Sequence, residues 1–293
     1  MMSQLQEMTP LVIDRTLYKP KIIPTFLKWA GGKSKLLDTF QKFFPEKIEE
    51  YYEPFVGGGA VFFYVKQVFK PKKTVISDVN KDLINVYLQV KNNTSELIKI
   101  LKQYREKHSR DYYYHIREEF NSEKKPTLRR AANFIYLNKT CFNGLYRENS
   151  KGNFNVPIGS YKNPSIFDAR ILKKASELLQ GTIIKCQDFG DIREEISENS
   201  FVYLDPPYHP LNGTSKFTSY TKEGFGKREQ VGLSQFFEEL NKKGSKAMLS
   251  NSDTDLIKKL YFNFSINKVF TSRAINCKAD GRGRISELVV TNY

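Results

Sequence analysis

The 293-residue chain is poor in the residues that build metal sites and disulfide frameworks. It holds three cysteines and three histidines. Cys141, Cys186 and Cys277 lie far apart and form no metal-ligand pair, which argues against a zinc site and for a reduced, cytoplasmic compartment. His108, His115 and His209 are isolated and read as surface or structural residues, so no metal is expected. No apolar run approaches the roughly 20 residues needed to span a bilayer, so no membrane partner is expected. Residues 1–20 lack the basic start and apolar stretch of a secretory leader. Internal repeats and low-complexity tracts are absent.

Positive charge, by contrast, is in excess. Lys and Arg total 47 against 32 Asp and Glu, a net charge of +15. Between Lys99 and Lys174 there are 17 basic and 7 acidic residues, a net +10, so most of the excess lies in about a quarter of the chain. Clustered cations suit a polyanion, most simply nucleic acid. A solvated lysine-rich surface gives the same count, and charge alone does not separate DNA from RNA or from an anionic membrane. With 40% hydrophobic residues spread along its length, the chain can bury a core.

The pattern along the chain is α/β. Residues 34–44 have helical apolar spacing and stop before Pro45. Residues 50–56 read as a buried strand ending at Gly57-Gly58-Gly59, 60–69 as an apolar helix, and 74–77 as a β-branched strand ending at Asp78. Strand, glycine turn, helix and strand in that order mark a parallel sheet. From 81 to about 140 the spacing turns helical, and 141–164 is polar and glycine-rich. Strands return at 182–186, 201–204, 246–250, 265–270 and 285–291, with helices at 166–179, 227–242 and 253–261. A long polar loop is expected at 208–226. The division expected is a catalytic domain of residues 1–80 and 181–293, with an inserted domain at 81–180.

Three motifs carry chemistry. Asp205-Pro206-Pro207-Tyr208 follows the apolar run 201–204 and so sits at the carboxyl end of a strand, where open α/β sheets bind ligands. The prolines hold a fixed turn. A carboxylate and a carbonyl aimed at one point suit an amino group with two hydrogens to donate, and Tyr208 offers a flat face to a base. An ordinary strand-ending turn uses the same residue types. In Tyr52-Glu53-Pro54-Phe55-Val56-Gly57-Gly58-Gly59-Ala60 the glycines allow a ligand close to the backbone. The dinucleotide fingerprint fails at Phe62, where a third glycine is wanted. Asp78 lies 21 residues after Gly57, where an acidic residue binds ribose hydroxyls or caps the next helix. In Phe26-Leu27-Lys28-Trp29-Ala30-Gly31-Gly32-Lys33-Ser34 a phosphate loop fails at Leu27. Trp29, the single tryptophan, suits either the core or a pocket wall.

Together with Asn143 to Tyr161, these segments resemble the Dam-like family of DNA adenine methyltransferases, which includes GATC-modifying enzymes of restriction–modification systems. The resemblance covers about residues 23–293, with the motifs in the order of the group-alpha amino-methyltransferases. It implies a Rossmann-like S-adenosylmethionine-dependent methyltransferase sheet with an inserted helical DNA-recognition domain. It places Trp29, Lys33, Glu53, Phe55, Gly57, Gly59, Asp78, Asp188, Phe189 and Asp205 at the S-adenosylmethionine site. Gln187 stands where the family's element around Asp188-Phe189 has glycine. Lys28, Asn143, Leu145, Arg147 and Pro157 match DNA-binding positions, with Arg147 at the guanine-reading arginine, a pairing general in the major groove. Ser160 stands where an arginine is common.

The activity so implied is methylation of the adenine N6 amino group in double-stranded DNA, with GATC as the expected word. A cognate restriction endonuclease sharing that word is an expected partner. The catalytic residues are Asp205, Pro206, Pro207 and Tyr208, acting on an adenine flipped out of the duplex. Related sites that methylate cytosine amines, RNA or protein amides commonly begin with Ser or Asn rather than Asp. A DNA-binding protein that keeps the fold without catalysis would not need an intact 205–208 motif.

Overall fold

The structure, a computed structural model, describes residues 20–210, 225–272 and 284–293. Cys277 and most of the loop expected at 208–226 lie outside the described residues. Among those described, seven strands form one sheet: β1 (Glu50–Glu53), β2 (Lys73–Asp78), β3 (Ile183–Cys186), β4 (Ser200–Leu204), β5 (Lys246–Ser252), β6 (Ser265–Ser272) and β7 (Arg284–Thr291). Their order is β3-β2-β1-β4-β5-β7-β6. Strands β1 to β5 pair in parallel, and β7 runs antiparallel between β5 and β6. This is a Rossmann-like sheet, as the resemblance implies. The strand order reverses between β1 and β4, so a crevice opens there at the carboxyl ends of the strands.

Side chains on a strand alternate between its two faces, and the cores follow that period. Tyr51, Ile76, Phe201, Tyr203, Met248 and Val289 enter one core. Their neighbours Tyr52, Val75, Val202, Leu204, Ala247, Leu249, Leu288 and Val290 enter the other. The first face is covered by α1 (Leu37–Phe40), α2 (Ala60–Val68), α3 (Lys81–Asn92) and α7 (Ala169–Leu179), and its core runs on into α4 (Thr94–Glu106), α5 (Arg110–Ser122) and α6 (Leu128–Thr140). The second is covered by α8 (Lys227–Lys242) and α9 (Asp255–Leu260). Among the described residues no helix is long and apolar enough to cross a membrane.

One local expectation is corrected. The helix expected at 34–44 is broken into single turns, Lys33–Lys35, Leu37–Phe40 and Gln41–Phe43. Lys33, Leu36, Leu37 and Phe40 are all buried there, so tertiary packing rather than a continuous ladder fixes the segment. The helical stretch 81–140 is four helices. Side chains of Asn80, Ser109 and Thr127 accept the first free amides of α3, α5 and α6.

One buried ion pair ties these helices together. Arg130, 4% exposed at its side chain, forks onto Asp82 with Nε at 2.5 Å and Nη2 at 2.6 Å from the two carboxylate oxygens. Its Nη1 donates to the carbonyls of Phe120 and Glu123, and its guanidinium lies over the Phe120 ring. Removing one partner of such a pair strands a buried charge. Asp82→Ala is therefore expected to lower stability by about 3–5 kcal/mol, read as a shift in the urea midpoint. A midpoint unchanged from wild type would show that Arg130 finds other compensation.

Candidate functional site

The crevice at the reversal point is a cavity of about 1130 Å³. It is lined by residues 29–33, by Glu53, Phe55 and the glycine turn, by Asp78, by Asp188 and Phe189, and by the Asp205–Tyr208 motif. Every residue expected at the catalytic and cofactor sites therefore borders one space. Its volume exceeds the roughly 300–1,000 Å³ of single small-molecule sites, which leaves room for two groups side by side.

Topology delivers three carboxyl groups to this edge. Glu53 ends β1, Asp78 ends β2 and Asp205 follows β4. Burial pushes the Glu53 carboxyl well above its usual range, and the Tyr51 hydroxyl donates to it at 2.7 Å. Burial raises both Asp78 and Asp205 to about 6. Lys33 opposes this at Asp205, with Nζ 2.8 Å from Oδ1. The same ammonium donates to the Gly31 carbonyl at 2.7 Å and stands 4.6 Å from the centroid of the Tyr208 ring.

Asp78 does not cap α3; Asn80 does that, accepting from the amides of Asp82 and Leu83. Instead Asp78 accepts from the Gly57 amide at 3.3 Å and the Asn80 amide at 2.9 Å, pinning the glycine turn to the end of β2. Gly57 and Gly59 have φ of 45° and 69°, in the left-handed region. A Cβ at Gly57 would meet the Trp29 ring at 2.7 Å, and one at Gly59 the Tyr87 hydroxyl at 2.5 Å. The cradle is thus closed to side chains by its neighbours, Tyr87 also donating to the Gly57 carbonyl at 3.0 Å.

Trp29 serves both readings, since it lines the cavity and also stacks on Phe134 and Tyr146, at 6.4 and 6.2 Å between centroids. Phe55 and Phe189 stack at 5.5 Å on another side. Asp188 caps the turn Phe189–Glu195. Flat aromatic walls, buried carboxyls and a backbone cradle fit a ligand with a heteroaromatic ring, hydroxyls and a positive centre. Among the described residues no group of three His, Cys, Asp or Glu side chains could hold a metal ion.

In the 205–208 turn the two carbonyls differ. Gln230 donates to the Pro207 carbonyl at 3.0 Å, and Asn251 donates in turn to Gln230 at 3.0 Å. Among the described residues no donor is bonded to the Pro206 carbonyl. A carboxylate and an open carbonyl are thus presented beside an aromatic ring. Gln230, Asn251, Tyr87 and Glu287, which accepts from the Tyr208 hydroxyl at 2.7 Å, carry no signal in the sequence. They reach the site only through the fold.

The expected DNA-binding residues gather on a neighbouring surface. The loop after α6 folds back on itself, with bridges Cys141 to Ile158 and Glu148 to Phe154. Asn143 takes a φ of 55°, Leu145 is half-buried, and Arg147 and Pro157 are exposed. Arg147 Nε donates to Asn155 at 2.8 Å. Lys28 joins this loop from far away in sequence, its ammonium 4.0 Å from the Tyr161 ring centroid. Asn138 makes the join. Its amide accepts from the Lys28 backbone at 2.8 Å and donates to the carbonyls of Lys28 and Gly144 at 2.7 and 3.1 Å.

Residues 29–275 match the family described as D12 class N6 adenine-specific DNA methyltransferase. The chain is 48% identical to the type II methyltransferase M.MjaIII of Methanocaldococcus jannaschii, over 92% of this chain and 99% of that protein. It is 44% identical to the type II methyltransferase M1.LlaDCHI of Lactococcus lactis subsp. cremoris, over 94% and 98%. It is 37% identical to the DNA adenine methylase of Escherichia coli K12, over 90% and 93%.

The raised Asp78 carboxyl has a consequence for stability. A carboxyl that holds its proton more tightly when folded contributes stability below its unfolded value of 3.8, and that contribution is lost as pH rises through about 6. Gly57 and Asn80 bond to different carboxyl oxygens, so Asp78→Asn removes the titration together with one acceptor, a loss that does not vary with pH. Relative to wild type, the variant's melting temperature is expected to rise between pH 4 and about 6 and to level off above that. A difference that stays constant with pH would contradict this.

Proposed function

Given that the chain belongs to the D12 class of N6 adenine-specific DNA methyltransferases, we propose that it transfers a methyl group from S-adenosylmethionine to adenine N6 in double-stranded DNA. GATC is the proposed word, and modification within a cytoplasmic restriction–modification system the proposed setting. The observation that carries the chemistry is the Asp205-Pro206-Pro207-Tyr208 turn itself, which lines the cavity with an Asp205 carboxyl, a Pro206 carbonyl unbonded among the described residues, and the Tyr208 ring. Two acceptors on consecutive residues suit a primary amine on a flat ring. The type II names of two relatives support the setting. The GATC reading rests on the resemblance of the 143–161 loop.

Residues 1–80 and 181–293 form the proposed catalytic domain, and 81–180 the proposed target-recognition domain. The cofactor's place is the half of the cavity bounded by Trp29, Lys33, Glu53, Phe55, the glycine turn, Asp78, Asp188 and Phe189. When bound, S-adenosylmethionine supplies an electrophilic methyl group. Asp78 accepts from hydroxyls at the carboxyl end of β2. Trp29 and Phe55 wall the cofactor against water.

On the substrate side, flipping the adenine costs about a few kcal/mol, offset in part by stacking on Tyr208. Asp205 and the Pro206 carbonyl each accept one amino hydrogen, which draws the nitrogen lone pair out of conjugation. Asp205 then takes the proton that the nitrogen must lose. Positioning and electrostatics are the main catalytic effects. Lys28, Asn143, Leu145, Arg147 and Pro157 contact DNA, with Arg147 reading a guanine.

Incubation with labelled S-adenosylmethionine and unmethylated duplex DNA is expected to put label on adenine N6. Asp205→Ala is expected to abolish transfer and to leave DNA binding within a few-fold of wild type. Label on cytosine, or normal turnover by the variant, would reject the assignment. Arg147→Ala is expected to lose roughly 1–3 kcal/mol of discrimination at one guanine, read by sequencing methylated plasmid from an expressing host. Modification at a word other than GATC would reject the proposed target.

A further inference from the structure

The reading of Tyr208 as the surface on which the base lies raises the question of what holds its ring. Tyr208 follows a turn fixed by two prolines, but its own side chain must project across the end of β5. There the sheet brings up a strand of opposite direction. Glu287 on β7 is paired with Ser252 at the end of β5 and with Val269 on β6. An antiparallel strand thus delivers a carboxylate to the edge where the parallel strands end. Its Oε2 accepts from the Tyr208 hydroxyl at 2.7 Å. Burial, together with the charges of Asp205 and Glu287, pushes the Tyr208 phenol well above its usual range, so it stays protonated and remains a donor.

We propose that Glu287 is a positioning residue for methyl transfer, acting through Tyr208 to fix the ring against which the target base lies. The inference rests on the adenine-methylation reading and adds a residue that touches neither substrate nor cofactor. A tyrosine ring has two free torsions, and a bond from its far end to a strand of the sheet removes most of that freedom. The Lys33 ammonium lies over one face of the ring, 4.6 Å from its centroid, and is itself bound to Asp205. Glu287, Tyr208, Lys33 and Asp205 therefore form one chain of contacts. A ring free to swing would leave the amine misaligned with the Asp205 and Pro206 acceptors, and misplacement of about 1 Å costs on the order of a hundredfold in rate.

The test uses the full chain with Glu287→Ala, Glu287→Gln, Tyr208→Phe and the Tyr208→Phe/Glu287→Ala pair. Glu287→Ala is expected to lower kcat at least thirtyfold with KM for DNA changed by less than about threefold. Tyr208→Phe should reproduce that loss, and the double variant should add nothing to it. Glu287→Gln keeps a partner for the hydroxyl at the same reach and should stay within about threefold of wild type. A second readout needs no cofactor. In duplex DNA with 2-aminopurine at the target base, stacking on a held ring quenches the emission of the flipped base. Emission should rise in Glu287→Ala and stay low in Glu287→Gln. Multiplicative losses in the double variant, or wild-type kcat and emission in Glu287→Ala, would overturn the inference while the adenine reading stands. A wild-type enzyme that leaves adenine N6 unmethylated would overturn both.

Discussion

The ammonium of Lys33 is the charge around which the cavity is assembled. The reversal of strand order brings Glu53, Asp78 and Asp205 to one sheet edge, where all three lose solvation and Asp205 also repels Glu53. Burial pushes Glu53 well above its usual range, while Asp205, at about 6, is held down by the lysine. By bonding to Asp205 and to the Gly31 carbonyl, Lys33 also fastens residues 29–33 across the mouth of the crevice. That segment carries Trp29, whose ring blocks any side chain at Gly57. One ion pair therefore sets the charge state of the 205–208 turn and the shape of the cradle beside it. The carboxyls around it make the cavity receptive to a cation, which is the charge of the proposed cofactor's reacting centre.

The cavity sits on two kinds of support. Local sequence chemistry makes the glycine turn and the proline turn. Distant side chains then lock them: Tyr87 and Asp78 hold Gly57, and Gln230 holds the Pro207 carbonyl with Asn251 behind it. Gln230 lies on α8 and Asn251 on β5, so both cover and sheet must be in place before the turn is fixed. Buried polar networks of this kind are worth having only when every member is satisfied.

Much of this was legible from the sequence because it is local. Short apolar and β-branched runs place the seven described strands, and the turn at 57–59 and the motif at 205–208 announce themselves by residue type. Asp78 was readable as a cap or a ligand residue, and only the position of Asn80 decides between them. The helix read at 34–44 fails because its apolar spacing serves three short turns packed from different sides. Asn138, Gln230 and Glu287 were not legible at all. Their partners lie 110, 23 and 79 residues away, and a lone amide or carboxylate in a helix or strand has no pattern to read.

The same contacts suggest how the DNA word can vary while the chemistry stays fixed. Lys28 and Lys33 share one segment, the first facing the 141–161 loop and the second facing Asp205. Between them and the loop stands Asn138, 2% exposed, with one amide binding the backbone of Lys28 and the carbonyl of Gly144. The clasp grips backbone, so it is indifferent to what the outward side chains are. Arg147 and Ser160 are exposed beyond it. A serine in place of a cation at 160 removes charge from the loop proposed to face DNA, and the exposed side chain leaves the packing beneath unchanged. On the proposed reading, exchange at such positions would alter which bases are read or how firmly the DNA backbone is held, while the clasp keeps the loop joined to the segment that lines the cavity.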